Sequence, residues 1–188
     1  TTLLTGLGGK APTSEEVTSV LNQYDADGDG SLNAKEYAEL AAQLKMVTEI
    51  DLNKDGAITA EELLAYLKVL ATEAGLSTVP TLEQARAILK TADGDADGSL
   101  SPTEALELPT AQQLIKFMTA DTTPIDGKVD KAELTTLLTG LGGKAPTPEE
   151  VTLVLNQYDE DGDGSLDAKE FTELAARSEE RRVGKECR

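Results

Sequence analysis

Apolar residues in this chain fall at helical spacing in short blocks, and each block is cut off by a stretch of acids and glycines. Val17, Val20, Leu21 and Tyr24 share one helical face, as do Tyr37, Leu40, Ala41 and Leu44. The same offsets return as Met46, Val47 and Ile50, then as Leu63, Tyr66, Leu67 and Leu70. Two blocks carry start signals. Thr13 with Glu16 and Thr147 with Glu150 have capping-box spacing, and Pro148 stands at a first helical position. Between Glu36 and Asp51 lie 14 residues with no Gly or Pro, so a single uninterrupted helix is predicted there. The faces read as core, and the chain as all-α.

The pattern repeats. Residues 135–176 copy residues 1–42 with six differences: Ser14/Pro148, Ser19/Leu153, Ala26/Glu160, Asn33/Asp167, Tyr37/Phe171 and Ala38/Thr172. The chain thus holds one 134-residue period and the start of the next. After Ala176 the copy stops at "RSEERRVGKECR", which carries the only cysteine, Cys187. That string resembles the in-frame translation of a sequencing adapter, and residues 177–188 are read as an assembly artefact.

The interrupting stretches share one grammar. "DADGDGSLNAKE" (25–36), "DLNKDGAITAEE" (51–62), "DGDADGSLSPTE" (93–104) and "DEDGDGSLDAKE" (159–170) all fit D-x-[DN]-x-[DN]-G-x5-E. Clustered carboxylates repel one another, and a hard dication seeking six to eight oxygens at ~2.3–2.6 Å cancels that repulsion. Glycine at position 6 permits the sharp turn that wraps the loop around the ion. With helix-like segments on both sides, these stretches resemble the calcium loops of the EF-hand family, in the manner of calmodulin and troponin C.

The resemblance implies that positions 1, 3 and 5 give side-chain oxygens, position 7 a carbonyl, position 9 a contact often through water, and position 12 a bidentate glutamate. The first loop then uses Asp25, Asp27, Asp29, Ser31, Asn33 and Glu36; the second Asp51, Asn53, Asp55, Ala57, Thr59 and Glu62. The third uses Asp93, Asp95, Asp97, Ser99, Ser101 and Glu104; the fifth Asp159, Asp161, Asp163, Ser165, Asp167 and Glu170. Glutamate at position 12 favours calcium over magnesium, and Asp167 adds a further acid to its loop. Position 9 also falls where the exiting helix needs its N-cap. Four sound calcium sites are expected.

A fourth stretch, "ADTTPIDGKVDKAEL", is degenerate. Aligning Gly127 with position 6 and Glu133 with position 12 puts Thr122 and Pro124 where acids belong. Asp121 serves as position 1 only if the loop holds one extra residue. Asp126, Asp130 and Glu133 are candidate ligands in either register. Weak or absent calcium binding is expected here, the hand being kept as a structural partner.

Spacing sets the pairing. Thirty residues separate Glu62 from Asp93 and 25 separate Glu133 from Asp159, room for two helices and a turn in each case. Loops 2 and 3 should pair, as should loops 4 and 5, with position-8 bridges Ile58–Leu100 and Val129–Leu166. The expected architecture is an elongated array of tandem EF-hand pairs. It comprises a half pair (1–47: an orphan helix bearing Leu3, Leu4 and Leu7, plus hand 1), one pair over 48–108 and another over 109–176. With its partner hand missing, loop 1 should bind calcium more weakly than loop 5.

Charge narrows the function. A formal −18 in 188 residues argues against nucleic acid and anionic membranes and for cations or basic partners. Without residues 177–188 the chain keeps 12 basic and 32 acidic residues, a formal −20. No apolar run reaches the ~20 residues of a membrane span, and the start lacks a methionine and a signal-peptide pattern, so the chain reads as a soluble fragment. With no histidine and no nucleophile–base constellation, catalysis is not expected. Calcium ions are the partner this reading requires. A buffer or calcium-dependent array is favoured over a calmodulin-like sensor taking a basic or amphipathic helical target, because sensors use methionine-rich surfaces and this chain has two methionines. A regulatory segment of a larger protein is the third reading.

Overall fold

Each helix that enters a loop ends on the loop's first aspartate. The backbone N–H groups of Asp25, Asp51, Asp93, Asp121 and Asp159 close the last turn onto the carbonyls of Leu21, Val47, Leu89, Phe117 and Leu155, at 2.8–3.0 Å. The computed structural model describes residues 14–142 and 145–186. The Thr13 cap, Leu3, Leu4, Leu7 and Cys187 lie outside them.

The described residues are helical: α1 (Ser14–Tyr24), α2 (Ala34–Ile50), α3 (Ala60–Glu73), α4 (Leu82–Ala92), α5 (Ala111–Ala120), α6 (Lys131–Gly142), α7 (Pro148–Tyr158) and α8 (Ala168–Glu186). The residues between Glu36 and Asp51 do form one helix, so α2 leaves loop 1 and enters loop 2 without a break. The exits are capped as position 9 predicts. Asn33 and Thr59 make full capping boxes with Glu36 and Glu62, and Asp167 accepts the N–H of Glu170 at 2.9 Å.

Among the described residues the extended structure is two single bridges, Ile58 with Leu100 and Val129 with Leu166, at the expected positions. They join loop 2 to loop 3 and loop 4 to loop 5. All four residues are fully buried or nearly so. Around them lies an apolar core built from Ile50, Leu63, Leu67, Ile88, Leu114 and Leu134. Phe117 of α5 meets Phe171 of α8 edge to face, centroids 5.6 Å apart. The two pairs pack on each other, α3 against α5 and α4 against α8.

Two local expectations fail. A helix was expected after loop 3, but only a 3₁₀ turn, Glu104–Glu107, follows it. Pro109 is the reason: it leaves four residues after Glu104 and holds Leu108 extended, at φ −59°, ψ 143°. Tyr37 was expected on the buried face, yet it is 46% exposed. The buried face of α2 runs through Leu40, Gln43 and Leu44, because the Gln43 amide reaches the Leu108 carbonyl at 2.7 Å. The 3₁₀ segment thus receives hand 1, which also sends the Tyr24 hydroxyl to the Leu106 carbonyl at 3.4 Å.

Thr147 shows the expected cap of α7. Its N–H donates to Glu150 at 2.7 Å and its hydroxyl accepts the Glu150 N–H at 3.2 Å. Thr147→Ala should lower stability by about 1 kcal/mol, measured by denaturant unfolding, with no change in calcium stoichiometry.

Candidate metal centres

The first aspartate of each loop is fixed by the loop's own backbone N–H groups. In loop 1, Asp25 Oδ1 accepts the N–H groups of Gly28 (2.8 Å) and Asp29 (3.1 Å), and Oδ2 accepts that of Gly30 (2.7 Å). In loop 5, Asp159 takes the N–H groups of Gly162, Asp163 and Gly164 at 2.7, 3.1 and 2.9 Å. The position-6 glycines Gly30, Gly56, Gly98, Gly127 and Gly164 all have φ between 82° and 89°, the left-handed region a side chain resists. The N–H groups of Gly30, Gly28 and Asp29 hold the Asp25 carboxyl below its ordinary pKa.

The distant glutamate closes each loop. Glu36 Oε1 takes the N–H of Ala26 at 3.0 Å and Oε2 that of Asn33 at 2.9 Å. Glu170 does the same with Glu160 and Asp167 at 2.7 and 2.9 Å, and Glu104 with Gly94 and Ser101, both at 2.9 Å. Burial raises the Glu170 pKa against those bonds. Carboxylate oxygens of positions 1, 3 and 12 consequently lie within 4.8 Å of one another in three loops: Asp25–Asp27–Glu36, Asp93–Asp95–Glu104 and Asp159–Asp161–Glu170. A hard, oxygen-only donor set of this kind suits calcium.

Other residues expected at the sites stand differently. The position-5 acids Asp29, Asp97 and Asp163 lie outside those sets, each accepting the N–H and hydroxyl of the serine two residues on. Side chains of Asn33, Thr59 and Asp167 at position 9 cap the exiting helices, and the Ser101 hydroxyl donates to the Glu104 carboxylate at 2.7 Å and accepts the Glu104 N–H at 3.4 Å. Loop 2, with Asn53 in place of an acid, forms no three-acid set, and the Asn53 amide donates to Asp55 at 3.0 Å. Its Asp51 and Glu62 nevertheless hold the loop as their counterparts do, accepting from Gly56 at 3.1 Å and from Asn53 and Thr59 at 3.3 and 3.1 Å.

Loop 4 resolves to the longer register. Asp121 ends α5 and accepts the Gly127 N–H at 2.8 Å, as every position-1 aspartate does with its glycine. Glu133 takes the N–H groups of Thr122 and Thr123 at 2.6 and 2.8 Å and that of Asp130 at 3.1 Å. The Asp126 carboxylate accepts the Lys128 N–H at 3.1 Å. Burial lifts the Asp121 carboxyl to about 6, against the bond from Gln84. Two further contacts had no sequence signature as site features. The Lys128 ammonium of loop 4 bonds Asp163 of loop 5, and the Gln84 amide of α4 bonds Asp121 at 2.8 Å. Gln84 shares a helical face with Ile88 and Ala92, the one hint that it is buried.

Comparison with known proteins agrees with this geometry. A family model described as an EF-hand domain pair matches residues 125–176, and one described as an EF hand matches residues 17–41 and 48–68. Calcium-binding allergen Ole e 8 of Olea europaea is 26% identical, covering 85% of this chain and 80% of its own. Probable calcium-binding protein CML28 of Oryza sativa subsp. japonica is 28% identical over 86% of this chain and 92% of its own. Probable calcium-binding protein CML17 of Arabidopsis thaliana is 29% identical over 64% and 77%.

Proposed function

Because this chain belongs to the EF-hand family of calcium-binding proteins, we propose that it is a calcium buffer, or a repeat array stiffened by calcium, with four ion sites in loops 1, 2, 3 and 5. The side chains at positions 1, 3, 5 and 12 would hold each ion, together with the carbonyls of Ser31, Ala57, Ser99 and Ser165, and position 9 through water. The bound ion supplies the positive charge that the carboxylates of each loop lack. The residues contribute orientation: backbone N–H groups bond the carboxylates of positions 1 and 12 and fix where they point.

The observation that supports a buffer or array over a sensor is where the apolar faces go. The hand pairs spend them on each other, α3 on α5 and α4 on α8. Both methionines are buried, Met46 at 5% and Met118 at 1% exposure. A sensor opens a methionine-rich groove to a target helix. The large exposed apolar residues Tyr37, Leu52, Val69, Val79 and Leu153 are spread over α2, loop 2, α3, the α3–α4 connection and α7.

Calcium titration in the presence of an apolar fluorescent probe separates the readings. The chain should become more compact by hydrodynamic radius with no marked rise in probe fluorescence. A strong calcium-dependent rise in probe binding would establish the sensor reading instead.

A further inference from the structure

Loop 4 differs from the other loops in what presses on it. Gly127 occupies position 6 with φ +86°, and a Cβ there would stand 2.3 Å from the Cβ of Ala87 and 3.1 Å from the backbone of Gln84. Its counterparts Gly30, Gly98 and Gly164 have nothing within 4 Å of such a Cβ. The backbone of loop 4 is therefore seated on α4 of the neighbouring hand pair, at a distance only glycine allows.

The polar contacts there are buried and interlocking. Asp121 is wholly buried and Gln84 is 1% exposed. Asp121 Oδ2 accepts both the Gln84 amide and the Gly127 N–H at 2.8 Å. The Thr81 hydroxyl, which accepts the Gln84 N–H at 3.1 Å as the cap of α4, donates to the Ile125 carbonyl of loop 4 at 2.8 Å. Gln84 Oε1 has no protein partner, so the bond to Asp121 is that side chain's one polar anchor. No three-acid set forms in loop 4 among the described residues.

We propose that loop 4 anchors the side-chain amide of Gln84 on its position-1 carboxylate, and so serves as an ion-free joint locking the two hand pairs together. The amide N–H supplies a partial positive charge to the position-1 carboxylate, and Gly127 lets α4 close over it. A buried carboxylate that loses its donor pays the desolvation of an unpaired group, so separating the pairs carries a penalty. The comparison with sister loops rests on the calcium reading given above; the joint itself rests on these contacts alone.

Hydrogen exchange on the calcium-loaded full chain tests it. Gln84→Met keeps the bulk of the side chain and removes the donor. It should speed exchange at Asp126, Gly127 and along α4 by at least about tenfold, leaving calcium stoichiometry unchanged. Unaltered exchange would overturn the joint. So would a further calcium ion in the unsubstituted chain that Asp121→Asn removes. Should Gln84→Met fail to fold, Gly127→Ala compared with Gly98→Ala in chelator decides, since their φ angles match at 86° and 87° and only Gly127 meets a neighbour. The joint requires the larger loss of thermal stability from Gly127→Ala, and equal losses would refute it. If no loop bound calcium while these exchange results held, the calcium reading would fall and the joint would stand.

Discussion

Calcium added to the chelated protein should raise its unfolding temperature by roughly 20 °C or more, because four occupied loops, as proposed, would each contribute about 2.7 kcal/mol at a hundredfold excess over Kd and a chain of this size gains ~2–4 °C per kcal/mol. The source of the effect is visible in the loops. Asp25, Asp27 and Glu36 bring three carboxylate oxygens within 4.8 Å, and the third and fifth loops do the same. Without an ion, that proximity is repulsive and opposes the folded state, in a chain already carrying a formal −18. Scanning calorimetry in chelator and in calcium measures the shift. Equivalent ionic strength of sodium chloride should reproduce only a small part of it, since screening acts on every exposed charge and the loops need a specific dication. Magnesium should give a smaller rise, its octahedral demand fitting poorly to a loop closed by a bidentate glutamate. A rise below about 5 °C in calcium would mean that no more than one loop is occupied.

Much of the fold could be read from spacing, because spacing is what the loop geometry constrains. An ion loop needs a turn at position 6 and an acid at position 12, so glycines and glutamates at fixed offsets located the helix ends and the position-8 bridges. The 14 residues between Glu36 and Asp51 left no room for two helices, and α2 is single. What could not be read depends on contacts across the chain. Gln84 is polar on an otherwise apolar face, and its meaning rests on Asp121, 37 residues away. Tyr37 matches Phe171 in the repeat, yet one is 46% exposed and the other 3%, since only Phe171 meets Phe117. Pro109 was legible in principle: it ends the segment after loop 3 before a helix can nucleate.

Glu170→Gln should remove a tighter site and Glu36→Gln a weaker one, although loops 1 and 5 are nearly the same sequence. Within the loops the hydrogen bonds agree closely, with Asp25 and Asp159 accepting from the same three positions. The difference lies outside. Leu166 bridges Val129 through two bonds of 2.8 and 2.9 Å and is fully buried, while Leu32 is half-buried and makes no such bridge among the described residues. Loop 5 is thus steadied by a second loop, a support that loop 1 lacks among the described residues. Asp167 adds a carboxylate where loop 1 has Asn33. One contact opposes this order: the Lys128 ammonium bonds Asp163 and must yield to an ion. That pair is partly exposed, so it is worth no more than about 1 kcal/mol, and the pairing and the extra charge prevail. Each substitution removes a charged position-12 group. The loss at the altered loop should exceed the ~10–100-fold that second-shell partners of a metal contribute. Competition against a chromophoric chelator resolves the sites in the full chain. Equal affinities for the sites lost in Glu36→Gln and Glu170→Gln would show that the bridge and Asp167 together confer no advantage on loop 5.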